Sequence, residues 1–368
     1  MIKKLLWSLF LFGAVLVVLL QIPPSQPTAS QPASVLELLN EPVPGHANLI
    51  SIQPFMTVYD YSDADLFARK LRGYLLQAQQ ADWLTENSLV VLPEHIGTWL
   101  VAEGEGFPVF ASERADVALL WAALGNLPGF VKSLWGESAR DPFAAALFKS
   151  KSVAMAAQYQ QVFTRLAQDF GVTLVAGSIV LPDPRIQDGQ ILPGKGPLYN
   201  SSFLFYPDGA VAGPVRKVYP IDSELPFTQA ASQELPVFDT RLGRLAILIC
   251  ADSWYPDTWQ QVATADLVAV PSFASPDGIW EMPWGGYNGA AAPADVDPAD
   301  VGKLREGAAW RKYALAGRGG SLRAGINTFM RGDLWDLGDD GRTTAVLQGA
   351  VIQGQRRDGA VISSLWLP

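Results

Sequence analysis

The chain has 368 residues but a single cysteine, Cys250, and two histidines, His46 and His95. Serine hydrolases of the usual kind need a histidine base, and zinc hydrolases usually need several histidine ligands. Any hydrolytic chemistry here must therefore run on thiol, carboxylate and lysine. Cys250 closes the apolar run Leu245-Ala-Ile-Leu-Ile249, which reads as a buried strand, and Asp252 and Ser253 follow on a turn into a helix predicted over Asp257 to Ala265. A thiol on such a turn is rigidly held, and a helix N-terminus can lower its pKa. The same thiol could equally be a packed core residue.

Two further side chains occupy comparable positions. Ser88-Leu-Val-Val-Leu-Pro-Glu94 is a second buried strand that delivers a carboxylate at its end, and strand ends of this kind are where sites form in sheets flanked by helices. Lys217 follows a predicted hairpin, Asn200 to Tyr206 and Ala210 to Val215, turned by Pro207-Asp-Gly209. By itself it would be an ordinary surface lysine, but Asp222 and Glu224 come shortly after it.

The remaining elements follow from composition and pattern. With 49% hydrophobic and 17% charged residues the chain can bury a full core. The net charge of −9, with basic residues nowhere clustered beyond pairs such as Lys3-Lys4 and Arg356-Arg357, argues against a nucleic-acid partner. One cysteine excludes an internal disulfide. After Lys3-Lys4 comes the uncharged run Leu5 to Leu20, slightly short of the ~20 residues that cross a bilayer. Residues 1–22 are expected to be a membrane anchor or signal segment, and an uncleaved anchor is favoured. Lysines before the run place the rest of the chain outside the cytoplasm, in the periplasm of a bacterium. Residues 23–47, rich in Pro, Ser and Gln, are expected to be a linker, and the folded domain to occupy 48–368.

Within that domain the patterns predict a strand over Asn48 to Pro54, helices over Asp63 to Ala81 and Lys151 to Phe170, and one strand over Val172 to Val180. Gly97 to Ser150 is apolar and poorly patterned, either a lid or membrane-facing arm or a set of ordinary packed helices. The loop from Ser275 to Val301, with Trp280, Trp284 and Tyr287, reads either as lipid-facing or as packed on the domain. A further hairpin is expected over Thr328 to Leu337 and Arg342 to Val351.

Taken in order, Leu-Val-Val-Leu-Pro-Glu94, Val-Arg-Lys217-Val-Tyr-Pro and Leu-Ile-Cys250-Ala-Asp-Ser-Trp resemble the Glu-Lys-Cys triad of the nitrilase, or carbon-nitrogen hydrolase, superfamily. Tyr199-Asn-Ser-Ser-Phe, Val237-Phe-Asp-Thr-Arg-Leu-Gly and Asp266-Leu-Val-Ala-Val-Pro-Ser extend the resemblance from about Asn48 to the C-terminus. It implies an α/β fold, the α-β-β-α sandwich of the nitrilase type, with no cofactor and no metal. It implies a homodimer built by sheet extension. It also implies that Glu94, Lys217 and Cys250 are catalytic, with the backbone N–H of Ala251 at the oxyanion. Glu224 would be the family's second, orienting glutamate, with Asp222 its rival, and Asp252 the acidic residue two past the cysteine, orienting the loop or touching substrate.

The expected activity is thiol-dependent hydrolysis of a non-peptide amide C–N bond through a Cys250 acyl-thioester, on a small-molecule or lipid-linked substrate. The alternatives are an N-acyltransferase related to apolipoprotein N-acyltransferase, whose multi-helix membrane domain this chain lacks, a nitrilase, or a non-catalytic binding module.

Overall fold

The computed structural model describes residues 18–25, 33–43 and 45–368, so most of the expected anchor lies outside the described residues. The strands of the two large sheets are β1 (Val35–Leu38), β2 (Asn48–Gln53), β3 (Ser88–Val91), β4 (Thr173–Val175), β5 (Ile179–Pro182), β6 (Leu198–Phe205), β7 (Val211–Arg216), β8 (Val237–Thr240), β9 (Gly243–Ile247), β10 (Leu267–Ser272), β11 (Ala324–Phe329), β12 (Thr344–Leu347), β13 (Ala350–Gln353) and β14 (Val361–Trp366). The helices are α1 (Ala64–Gln80), α2 (Phe107–Ala111), α3 (Ala115–Gly125), α4 (Leu127–Leu134), α5 (Pro142–Phe170), α6 (Pro256–Gln261), α7 (Glu306–Tyr313) and α8 (Leu315–Arg318).

The first sheet runs β1-β14-β2-β3-β4-β6-β7, with β5 also paired to β6, and the second runs β8-β9-β10-β11-β12-β13. Because successive strand side chains point to opposite faces, β2 sends Ile50 and Ile52 into a core shared with Phe67, Leu71 and Phe163 of α1 and α5. Leu49 enters the other core, with Ile247, Val268 and Ile326 of the second sheet. β3 divides in the same way, Val90 towards the helices and Leu89 and Val91 towards the second sheet. Both faces of these strands are covered, which is why they read as continuous apolar runs rather than alternating ones. Trp310 and Tyr313 of α7 and Leu315 of α8 pack with the second sheet. The layers are helix, sheet, sheet, helix, as expected from the sequence.

Several boundaries differ from the sequence expectations for identifiable reasons. The linker assigned to 23–47 contains β1, which pairs in parallel with β14 from Val35↔Val361 to Leu38↔Ser364. A four-residue edge strand carries too little pattern to stand out beside a Pro- and Ser-rich stretch. Helix α5 starts nine residues before the predicted Lys151, at Pro142, with Asp141 capping through the Ala144 N–H (3.0 Å). Its first turns are buried on every side from Ala144 to Phe148, which erases the helical period there. The strand predicted over Val172 to Val180 is two, β4 and β5, separated at Gly177 (φ 63°).

The hairpin predicted over Thr328 to Val351 is also different. Arg331–Asp333 pairs in parallel with Phe55–Thr57, and the tight antiparallel pair is β12 with β13, turned at Gln348-Gly349. The four residues Gly338-Asp-Asp-Gly341 mimic a hairpin turn but serve other contacts, with Asp339 bonded to Arg331 and Asp340 to the Trp280 N–H. The tryptophans of the 275–301 loop are buried: Trp280, Trp284, Trp254, Trp310 and Tyr287 form one aromatic cluster with centroid separations of 4.9–6.3 Å. Of the two readings of this loop, packing onto the domain is the one observed.

Candidate active site

Glu94, Lys217 and Cys250 each stand just beyond a strand's C-terminal end, after β3, β7 and β9, and all three line one cavity of about 500 Å³. That volume suits a small organic ligand. Glu94 is held by a loop whose backbone is itself pinned. The His95 N–H donates to Ser178 Oγ (2.8 Å) and the Gly97 N–H to the Ser178 carbonyl (2.9 Å). His95 has φ 62°, and a side chain at Gly177 would collide with the Pro93 carbonyl. The break between β4 and β5 therefore lets two backbones close on each other and fixes the carboxylate.

Lys217 is among the most deeply buried charged groups, 1% exposed. Its ammonium donates to Glu94 Oε1 (2.7 Å) and Glu224 Oε2 (2.5 Å). Asn200 Nδ2 bridges the same two carboxylates, donating to Glu94 Oε1 (2.9 Å) and Glu224 Oε1 (2.8 Å). The Ile221 N–H completes the Glu224 side (3.0 Å). Burial by itself would push the Lys217 pKa down, but the Glu224 and Glu94 carboxylates outweigh it and hold the group well above the usual lysine range. Burial likewise works to raise Glu224, and Lys217 together with the His95 ring, 3.5 Å away, overcomes it and holds that carboxyl below the usual range. Asp222, the rival, is exposed and meets Asn288 through its N–H. Glu224 is the acidic residue that reaches Lys217.

Cys250 is 6% exposed and adopts φ 51°, a backbone region that side-chain-bearing residues avoid. The strain is held in place by its neighbours. Ser253 Oγ donates to the Cys250 carbonyl (2.7 Å), while Asp252 accepts from the N–H groups of Val218 (2.9 Å), Tyr219 (2.8 Å) and Ile249 (3.3 Å). Asp252 thereby ties the cysteine turn to the backbone just after Lys217. It is fully buried and is not among the residues facing the cavity, so of its two expected roles the orienting one fits. Burial raises its pKa to about 7 against the pull of Lys217 and these N–H donors. Ala251 faces the cavity beside the thiol.

The thiol departs from expectation. Burial, and then the charge of Glu94, push the Cys250 pKa well above the ordinary thiol value, and the opposing effect of Lys217 is smaller. Burial and Glu94 together thus favour the protonated form of this thiol.

Two residues in this arrangement went unassigned in the sequence. Asn200 was part of a matching motif without a role, and His95 is adjacent to Glu94, its ring held by Thr98 Oγ1 (3.0 Å) and directed at Glu224. An amide two residues into a strand that leads to the key lysine was the available signal for the first. Only the structure's unusual backbone at His95 reveals the second. Glu94, His95 and Glu224 also bring ligand-type atoms close together, but the first and last are already occupied by Lys217 and Asn200.

A family model for carbon-nitrogen hydrolases matches residues 17–285. The chain belongs to the carbon-nitrogen hydrolase family. Curated relatives include an omega-amidase of Danio rerio, 27% identical over 146 residues that make up 35% of this chain and 49% of that protein. Another is an omega-amidase of Saccharomyces cerevisiae, 28% identical over 105 residues, 26% of this chain and 33% of that one. The matches thus span about half or less of these relatives' length. Among solved structures, an amidase from Nesterenkonia sp. AN1 in complex with acrylamide superimposes with a TM-score of 0.53 at 14% identity, covering 89% of this chain and 93% of the amidase. The same amidase with butyramide gives 0.53 at 14%, with 88% and 91% covered. These likenesses show the nitrilase-type fold. Carbon-nitrogen hydrolases are enzymes, and the family match extends past Glu94, Lys217 and Cys250 but ends before β11.

Proposed function

We propose that this carbon-nitrogen hydrolase cleaves a non-peptide amide through an acyl-thioester on Cys250, with Glu94 and Lys217 as its catalytic partners. The observation that carries the reading is the buried cage in which Lys217 is shared by Glu94 and Glu224 at the edge of the cavity that holds the thiol. An amide is a poor electrophile with a poor leaving group, so the site must supply a strong nucleophile, a mobile proton and a place for negative charge on oxygen. Since burial and Glu94 favour the protonated thiol, attack coincides with proton loss. Glu94 accepts the proton as Sγ bonds to the carbonyl carbon, and the tetrahedral oxygen is met by Lys217 Nζ and the Ala251 N–H. Collapse breaks the C–N bond, and Glu94 returns the proton to the departing amine. Glu94 then takes a proton from water, whose oxygen adds to the thioester and releases the acid, and the proton returns to the sulfur. Glu224 and Asn200 fix Lys217 and Glu94 for both halves of the cycle.

The cavity wall is largely apolar, with Trp99, Phe148, Phe227, Phe273, Leu119 and Trp254 around it, which favours an amide with an apolar acyl part. The same reading takes residues 1–22 as a membrane anchor that holds the domain on the non-cytoplasmic side, on the strength of Lys3-Lys4 before the apolar run.

The test is intact-protein mass spectrometry after acid quench of the full chain incubated with butyramide, alongside measured ammonia release. The expected result is an acyl adduct on Cys250 and ammonia release, both lost in Cys250→Ala. Undiminished release from Cys250→Ala would end the thioester mechanism. Adding a primary amine separates hydrolase from transferase: a hydrolase still yields the free acid, whereas a transferase yields the new amide.

A further inference from the structure

The segment from α2 to Trp135 is apolar on its outward side as well as its inward one. Inward, Phe130 packs on Phe143 of α5 (4.9 Å between centroids) and Asn126 Nδ2 donates to Ser150 Oγ (3.0 Å). The salt bridges Lys149–Glu137 (2.7 Å) and Lys151–Glu105 (2.5 Å) fasten the base. Outward, Val117 and Leu120 of α3 and Leu127, Val131 and Leu134 of α4 are exposed, and Trp135 is 90% exposed. From Val117 through Val131 no residue is charged. Single exposed apolar residues need no explanation, but a cluster of this kind on two consecutive helices marks an interaction surface.

Among the described residues no single helix is long and apolar enough to cross a membrane, and α3 and α4 reach that length only together across a bend of 102°. Such a pair suits a position lying in a bilayer surface rather than a span through it. An interfacial element of this type buries its apolar face about 5–10 Å into the headgroup and acyl boundary. Trp135 at the end of α4 and the exposed Lys132 one turn before it are residue types favoured at that depth.

The position of the N-terminal segment names the occupant. The Phe107 N–H at the start of α2 donates to the Ile22 carbonyl (2.7 Å), and the Leu20 backbone takes the space where a side chain at Gly106 would stand. The apolar run Leu5–Leu20 therefore ends at the start of the same arm, where Val18 and Ile22 are themselves exposed. Whatever apolar medium receives the run lies next to the arm. On its other side α3 contributes Ala115 and Leu119 to the wall of the cavity containing Cys250.

We propose that the α2–α4 arm rests on a lipid bilayer, with Val131, Leu134 and Trp135 immersed, so that the cavity is held at the membrane surface. The test uses the full chain in phosphatidylcholine nanodiscs. Nitroxide labels are placed in a Cys250→Ala background at Val131→Cys, Trp135→Cys and, as an exposed apolar control at the outer edge of the second sheet, Val351→Cys. The expected result is a several-fold rise in the oxygen-to-nickel-chelate accessibility ratio at 131 and 135 relative to 351. Equal ratios at all three positions would overturn the proposal. So would dipolar broadening between arm labels that disappears on dilution with unlabelled protein, since that assigns the face to a second copy of the chain. Quenching of the unlabelled wild-type protein's tryptophan fluorescence by brominated lipid, halved in Trp135→Phe, supplies a check without labels, and an unchanged loss of signal in that variant counts against immersion. None of these readouts depends on turnover, so failure of the amidase reading leaves the surface proposal standing or falling by itself.

Discussion

Around Lys217 every polar contact is directional and enclosed: one ammonium, two carboxylates and one amide are fixed to each other at 2.5–2.9 Å with almost no solvent exposure. Across the cavity, the arm from α2 to Trp135 is held to α5 by ring packing and a few bonds at its base, and its far side is exposed among the described residues. The cage can tolerate no rearrangement, because a buried charge that loses its partner is expensive. The arm can tolerate much, because apolar contact is non-directional. On the reading proposed above, reaction chemistry belongs to the first region and membrane placement to the second, and substitutions in the two should fail in different ways.

The largest expected effect is at the thiol. Cys250→Ala should lower turnover by at least about 10⁴-fold while leaving the circular dichroism spectrum and the urea midpoint close to wild type. Residual activity near wild type would remove the cage's claim to the chemistry. Next, Lys217→Met should lower kcat by roughly 10²–10³-fold, the usual result of deleting an oxyanion partner. It should also destabilise the fold by about 3–5 kcal/mol, because Glu94 and Glu224 are left buried without their cation. A loss of kcat with unchanged stability would show that the cage is less constrained than its geometry implies.

A third measurement addresses the state of the nucleophile. Because burial and Glu94 raise the Cys250 pKa above the ordinary 9.0, the thiolate fraction is small at neutral pH and grows as pH rises. Alkylation by iodoacetamide should therefore be slow at pH 7 and accelerate through a midpoint above 9.0, and fast, pH-independent labelling would contradict it. Smaller again is the effect of Asp252→Asn. Its folded pKa of about 7 lies above the ordinary 3.8, so its stabilising contribution is full below pH 3.8, falls as pH rises through about 7, and stays lost above that. Urea midpoints should decline between pH 5 and 8 in the wild type by more than in Asp252→Asn, and parallel curves would remove the cause assigned to it. Least affected should be Trp135→Ala, whose exposed ring makes its stability cost at most about 0.5 kcal/mol in detergent. A larger loss would mean that the arm is part of the core and the contrast between the regions is overstated.

How much of this was legible beforehand depended on what each signal required. Glu94 and Cys250 could be singled out because each follows a buried strand, a polar residue straight after an apolar run being a local pattern, whereas Lys217 stood out only through Asp222, Glu224 and the family resemblance. The sandwich was legible because both sheet faces are covered, which writes long apolar runs into the chain. Asn200 and His95 were not legible as partners, since their roles depend on Glu94 and Glu224 being brought together from 106 and 24 residues away from Asn200. The raised thiol pKa has a related cause: the burial and the Glu94 charge that outweigh Lys217 are properties of the whole fold. The start of α5 and the β12–β13 hairpin were hidden, the first by apolar residues on all sides and the second by a stronger-looking turn at Gly338–Gly341.

One feature of the first sheet bears on how the molecule comes to exist at all. β14, the last of the described strands, lies between β1 and β2, pairing in parallel with the former and antiparallel with the latter. During synthesis β2 can join β3 as soon as Val91 has emerged, but its other edge stays open until Val361–Trp366 has left the ribosome, and β1 has no partner before then. A chain emerging in order would thus be unable to close this sheet until β14 arrived. Closure over so large a sequence separation is slow.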